Sequence, residues 1–403
     1  SIIFIMIFLH WLFISFFIGV VLPGVFLPVF PEMLHNKDLE EGIGNTSLIY
    51  LAILFVFFSV MLYVNHDKEV RFFERSKNIV SENKITSILF ILILFLSRIL
   101  YGLYIADSPY KMLIQNQEML VYGTFNRIVN YFYIVANFKL YALFQGLIVL
   151  SLPKRYLPLF FIGEIMYASF IYSKMIIFIN IIAIIILFID YKGLWHKKKL
   201  LVYIFFYGLF LTALLFLLRE IFGQLRQGGG FSMNGVEFYT VIVEGLSRIQ
   251  SLVSVFYAEK VLDDWLYGKT LCHVIGYIVP DSLISLPLNC QNIDEPIIIY
   301  YYGLSSLPFI EKDMLSFWGE PFANFGLLGV LLFALLVLMV KLFMRTLGEG
   351  QYALVLSWVV FISFLVSHTS WSAIVGNIYL SFMLLWIMQY LMNKFNKNKR
   401  VSE

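Results

Sequence analysis

The chain of 403 residues is 60% hydrophobic and 14% charged, with 41 Phe, 25 Tyr and a formal net charge of +3. Soluble globular domains carry about 45–50% apolar and about 25% charged residues, so the composition excludes a soluble enzyme and a disordered chain. The small net charge leaves no basic patch for a polyanion, which excludes a nucleic-acid-binding domain, and a mean hydropathy of +0.83 predicts a polytopic membrane protein with aromatic belts.

A membrane span needs about 20 mostly apolar residues, because the hydrocarbon core is about 30 Å thick. By that measure an all-α integral membrane protein of about 10 spans (range about 10–12) is expected. The spans fall at 2–30, 47–64, 86–106, 128–150, 157–172, 175–189, 200–218, 321–340, 352–368 and 371–391. The first run has no basic leader or small-residue cleavage site, and reads as a span rather than a signal peptide. The fifth and sixth are short, joined by Tyr172-Ser173-Lys174, and read as a tilted hairpin. With both termini cytoplasmic, the inner segments hold 17 Lys/Arg against 10 outside, six of the ten in one long loop. That asymmetry sets the orientation. The chain thus divides into an N-terminal bundle (1–218), a large external loop (219–316), and a C-terminal bundle with a basic cytoplasmic tail (317–403).

Three charges fall inside spans: Arg98, Lys139 and Glu164. Intramembrane charges are usually paired or functional. Lys139 and Glu164 lie at similar depths in antiparallel spans, so they are expected to pair, leaving Arg98 to snorkel or to face a substrate cavity.

The loop 219–316 is far longer than any other, as functional or separately structured loops are. Within it Ile242, Leu246, Ile249, Val253 and Phe256 recur at helical spacing, predicting an amphipathic helix over about 236–260. Arg248 lies one turn after Glu244; it is either half of a surface pair or a substrate ligand. Both cysteines of the chain, Cys272 and Cys290, are in the loop. In an oxidising compartment they are expected to bridge, which would stabilise the loop by about 3 kcal/mol.

No nucleotide-binding glycine motif, HExxH, CxxC or DxD occurs, so no metal or cofactor is expected. Chemistry outside the membrane without nucleotides needs a pre-activated substrate such as a lipid-linked diphosphate. Arg219 and Arg226 are seven residues apart, about 10 Å along one helical face. They can cradle a pyrophosphate with bidentate bonds, or bind lipid headgroups. At the loop's far end Pro321 is placed as the first residue of the eighth helix. Glu320 either caps that helix or stands as a carboxylate at the mouth of a site. Gly326 and Gly329 allow close packing. His273 in the loop and His368 at the outer end of span nine can serve as a base or as structural hydrogen-bonders.

Two stretches resemble the bacterial O-antigen polymerase (Wzy) family. Trp265-Leu266-Tyr267-Gly268-Lys269-Thr270, followed by Ile278-Val279-Pro280, is similar to its "G-x-[ST] … I-P" loop segment. Gly319-Glu320-Pro321-Phe322-Ala323-Asn324-Phe325-Gly326 is similar to its "GE-x-[YF]-x-NFG" start of the next helix. Asp281 and Glu295-Pro296 depart from the family's basic residues at those places. The resemblance covers the layout of the chain, and in residues about 219–330. It implies a metal-independent glycosyltransferase of GT-C-like architecture in the bacterial inner membrane, with its large loop periplasmic. Such an enzyme transfers a growing glycan from undecaprenyl pyrophosphate to the non-reducing end of a lipid-linked repeat unit. Arg219, Arg226, Arg248 and Arg98, with Asn324, would hold pyrophosphate and glycan, and Glu320 or His273 would assist the acceptor hydroxyl. Membrane lipids, a chain-length regulator and a flippase of the same pathway are the implied partners, and nucleic acid is not one. The alternatives are an O-antigen ligase acting on lipid A–core and a flippase of lipid-linked oligosaccharide. No internal repeat of spans supports the flippase.

Overall fold

Apolar runs fold as helices in the described part of the chain, with proline only in the first turn, at Pro158 and Pro321. The computed structural model describes residues 84–105, 124–170, 173–191, 249–262, 264–270, 319–346 and 371–402, with isolated positions elsewhere, several of them between 355 and 363. The predicted spans 2–30, 47–64 and 200–218 lie outside the described residues, apart from isolated positions. So do Arg219, Arg226, Arg248, His273, Cys272, Cys290 and His368.

Eight α-helices are described: α1 (Lys84–Ile105), α2 (Thr124–Ile134), α3 (Tyr141–Ser151), α4 (Leu157–Phe170), α5 (Lys174–Tyr191), α6 (Ile249–Lys260), α7 (Gly319–Thr346) and α8 (Trp371–Ser402). No strand occurs among the described residues. Within α8, Trp371–Met388 is long and apolar enough to cross a membrane. Tyr131–Lys139 with Tyr141–Ser151 makes a second such stretch if the bent pair is one span. Ile88–Leu103, Met175–Phe188 and Gly319–Leu332 are shorter apolar helices.

The predicted span 128–150 is not one helix. α2 and α3 are separated by a π turn, Val135–Lys139, and bend by 57°. The cause is Asn137, whose Nδ2 donates to the Tyr133 carbonyl at 3.1 Å, inside the helical ladder, and to Ser97 Oγ of α1 at 3.0 Å. A side chain inserted into the i→i−4 ladder kinks a helix. The Leu140 N–H then reaches back five residues to the Val135 carbonyl, at 2.8 Å. α3 is apolar nearly all round, and every residue but Ala142 is buried, as expected of a helix at the centre of a bundle. It ends at Leu152, whose extended backbone leads into Pro153, the conformation a following proline imposes. The exposed Lys154–Tyr156 turn links it to α4.

The expected hairpin of spans five and six is present as α4 and α5, which pack on each other. Ser173 joins them: its N–H donates to the Ala168 carbonyl at 2.9 Å and its hydroxyl accepts the Ile176 N–H at 3.4 Å, as an N-cap does.

The bundle around α3 has an apolar core with a hydrogen-bonded polar cluster inside it, and large apolar side chains also on its outside. Arg98 of α1 donates Nη1 and Nη2 to the two oxygens of Glu164 in α4, at 2.6 and 2.8 Å. Its Nε donates to Asn137 Oδ1 at 2.9 Å, and its guanidinium stacks 3.8 Å over the Tyr167 ring. Tyr141 donates to Glu164 Oε2 at 2.7 Å. Asn180 of α5 donates to Tyr141 at 2.7 Å, and Gln145 to Asn180 at 3.0 Å. Trp358 donates to Gln145 at 3.3 Å. Glu164 therefore pairs with Arg98, not with Lys139 as expected from depth. The bend at Leu140 follows Lys139 directly, and its ammonium sits 5.4 Å over the Tyr131 ring. The outward-facing residues include Leu92, Phe95, Leu103, Ile128, Leu159 and Met166, each more than half exposed.

Candidate functional site

The two stretches that carry the family resemblance meet in space. α7 begins at Gly319, not at Pro321, and is broken after six residues. Phe325 (φ −145°, ψ 17°) and Gly326 (φ 60°, ψ −146°) leave the helical region before the helix resumes. Gly326 stands in the left-handed region that glycine tolerates. A Cβ there would also lie 3.2 Å from the Trp265 ring. Past the break the chain folds close on itself: a Cβ on Gly329 would lie 2.0 Å from the Pro321 carbonyl oxygen. The close packing expected at these glycines is thus within the broken start of α7 and against the loop.

The break frees backbone carbonyls that an unbroken helix would use. The loop turn Trp265–Thr270 takes them: the Leu266 N–H donates to the Ala323 carbonyl at 3.0 Å and the Tyr267 N–H to the Asn324 carbonyl at 3.1 Å. Asn324 completes the junction. Its Oδ1 accepts the Gly268 N–H at 2.8 Å, and its Nδ2 donates to Thr270 Oγ1 at 2.6 Å and to the Glu320 carbonyl at 2.8 Å. Trp265 meets Phe322 edge-on, with ring centroids 5.5 Å apart, and Leu266 is buried.

Glu320 joins a third element. Its Oε2 accepts the Ser372 N–H at 2.8 Å, and the Ser372 hydroxyl donates to Oε1 while lying 3.2 Å from the Thr270 carbonyl oxygen. Ser372 is the second residue of α8, where N–H groups lack intrahelical partners and the helix dipole favours an anion. Glu320 therefore caps α8 from outside that helix. Thr270, Glu320, Asn324 and Ser372 are all buried, so neither Glu320 nor Asn324 stands open at the mouth of a site. Together they tie the loop turn, the start of α7 and the start of α8 to one another.

Three parts of the junction face outward: Asp264, Lys269 and the aromatic pair Trp265 and Tyr267. Tyr267 has φ 46°, a left-handed conformation that costs a residue with a Cβ about 1–2 kcal/mol. α6, the described part of the predicted amphipathic helix, packs against α7 beside this turn. Its burial extends over Val255, Phe256, Tyr257 and Ala258, a wider face than the single stripe expected. Burial pushes the Tyr257 phenol above its ordinary range.

Arg98, expected near substrate, is instead bound to Glu164 in the bundle interior. Gly268 and Thr270 belong to the motif singled out in the sequence; the partners that sequence reasoning missed are Ser372 at the junction, and Asn137, Tyr141, Gln145 and Asn180 in the bundle. The bundle amides carried a signal: each is an uncharged polar side chain inside an apolar run, where a hydrogen-bond partner is required. No protein-family model, curated protein or solved structure matches the chain.

Proposed function

We propose that this chain is a polytopic membrane glycosyltransferase, a polymerase of surface polysaccharide of the O-antigen type. Membrane embedding is supported by the large apolar side chains on the outside of the bundle, while a bidentate ion pair and three amides are held in its interior. Water would favour the opposite distribution, whereas lipid favours this one. The observation that carries the enzymatic reading is the junction: the two motif stretches, 54 residues apart between Thr270 and Asn324, bond directly to one another. Segments that share a hydrogen-bonded core at the foot of an external loop have the rigidity a substrate site needs.

In this reading the acceptor hydroxyl oxygen attacks the anomeric carbon of the donor glycan. The bond from that carbon to the diphosphate oxygen breaks, and undecaprenyl pyrophosphate leaves with the electron pair. Arg219, Arg226 and Arg248 hold the departing diphosphate, and positioning with charge stabilisation supplies most of the catalysis. Since both Glu320 oxygens are taken by Ser372, His273 is the residue assigned to receive the acceptor proton.

The test is a gel of surface glycan from a strain lacking the gene, with and without restoration. Loss of the ladder with lipid A–core capped by one repeat unit is the expected result. Restoration with Arg219→Ala or Arg248→Ala should leave protein levels intact and yield no polymer. An unchanged ladder would refute the polymerase. Bare core with long lipid-linked polymer would mean a ligase, and single repeats trapped inside would mean a flippase.

A further inference from the structure

Trp265 and Tyr267 flank the buried Leu266: the Trp265 ring rests against Phe322 and Gly326 with part of it exposed, and the Tyr267 ring stands mostly exposed on the same tight turn. Trp265 is 38% exposed and Tyr267 66% exposed. The turn is fixed by the hydrogen bonds of Leu266, Tyr267 and Gly268 to the start of α7, and by Lys269 N–H to the Leu266 carbonyl at 3.0 Å. Folding alone does not favour tyrosine at position 267. The backbone is left-handed there, glycine or asparagine would be easier, and most of the ring is outside the fold. An exposed ring kept in a strained conformation on a rigid support points to a ligand.

We propose that Trp265 and Tyr267 form a stacking platform for a sugar ring of the glycan that the protein handles, with Asp264 and Lys269 beside it to meet sugar hydroxyls. An aromatic face takes the C–H face of a pyranose ring, and a neighbouring carboxylate and ammonium supply an acceptor and donors for the equatorial hydroxyls. In sequence the segment 263–269 holds Asp263 and Asp264 against Lys269, a net charge that gives no attraction for anionic lipid headgroups. This rests on the proposed function for the identity of the glycan and for the subsite's place beside the diphosphate ligands.

The probe is the free repeat-unit oligosaccharide released by mild acid from the lipid-linked precursor of the producing strain. It is titrated by ligand-observed NMR against the full chain in nanodiscs of phosphatidylethanolamine and phosphatidylglycerol. Tyr267→Gly should weaken binding about tenfold while leaving the thermal unfolding midpoint equal or higher, because glycine relieves the left-handed strain. Tyr267→Phe should keep wild-type affinity. Binding by Tyr267→Gly that equals wild type, or no binding by wild type, overturns the platform. So does a lower unfolding midpoint with affinity unchanged, which would make the ring structural. Quenching by brominated lipid that is lost in Trp265→Phe, and that oligosaccharide does not relieve, makes Trp265 a headgroup anchor and also overturns the platform. If the ladder persists in the deletion strain while Tyr267→Gly still loses affinity, the polymerase falls and the platform stands. A lost ladder with Tyr267→Gly binding normally gives the converse.

Discussion

Arg98 and Glu164 are 66 residues apart in the chain and meet through two parallel hydrogen bonds. Each carries further bonds, Arg98 to Asn137 and Glu164 from Tyr141. A buried pair with its remaining lone pairs and protons satisfied is tolerated, but removing one member leaves an uncompensated charge and costs about 3–5 kcal/mol. Glu164→Gln should therefore sharply lower the unfolding midpoint in detergent, and Arg98→Met with Glu164→Met together should recover most of the loss. The double-mutant cycle measures it; equal loss in the single and double variants would refute the coupling. That Arg98, Lys139 and Glu164 needed partners was legible from three charges in apolar runs. Which two would meet was not. Depth along ideal helices put Lys139 opposite Glu164, and the bend just after Lys139 removed the straight geometry on which that estimate depends. Glu320 shows the same limit: a carboxylate next to a helix start reads as a cap of that helix, yet it accepts the Ser372 N–H at the start of α8.

At the scale of elements, the two interrupted helices have different causes. α2 and α3 are parted by one amide, Asn137, that competes for a backbone carbonyl. α7 is interrupted at Gly326, where a left-handed residue lets the first six residues turn toward the loop. Three glycines predict distinct outcomes. Gly329→Ala would put its methyl 2.0 Å from the Pro321 carbonyl oxygen, and Gly326→Ala combines a left-handed φ with a contact of 3.2 Å to Trp265. Both should reduce the amount of folded protein in membranes, Gly329→Ala the more. Gly163→Ala meets nothing within 4 Å and should accumulate as wild type or slightly better, since alanine is about 1 kcal/mol more favourable than glycine in a helix. Quantitative immunoblotting with fluorescence-detected size exclusion checks all three; wild-type levels of Gly329→Ala would contradict the close approach. The existence of helices at 86–106, 157–172, 175–189 and 371–391 was legible, because long apolar runs have few other stable conformations. The breaks were not, since each depends on a single side chain or glycine finding a partner on another element.

At the scale of the whole molecule, the basic-residue asymmetry of the sequence predicts a topology that labelling can test. Lys269 stands exposed on the junction turn, and Lys154 and Arg155 on the turn between α3 and α4. If the loop is external, Lys269→Cys, in a background without Cys272 and Cys290, should react with a membrane-impermeant maleimide on intact spheroplasts. Lys154→Cys should react only after permeabilisation. Labelling of both positions, or neither, before permeabilisation would refute the orientation.

By itself, the sequence determined that the described chain is helical and where most of those helices lie. It also singled out the two stretches, 265–270 and 319–326, that prove to touch. Both follow from local physics: the length and period of apolar runs decide a helix, and the short polar, glycine-bearing segments between them mark turns. Tertiary structure decided which charges pair, where helices break, and that Glu320 and Asn324 hold the junction together instead of facing outward. It also left Trp265 and Tyr267 on the surface of that junction. Those outcomes depend on distances between residues tens of positions apart, where one bend redirects every side chain beyond it, and such distances are not written in any local pattern.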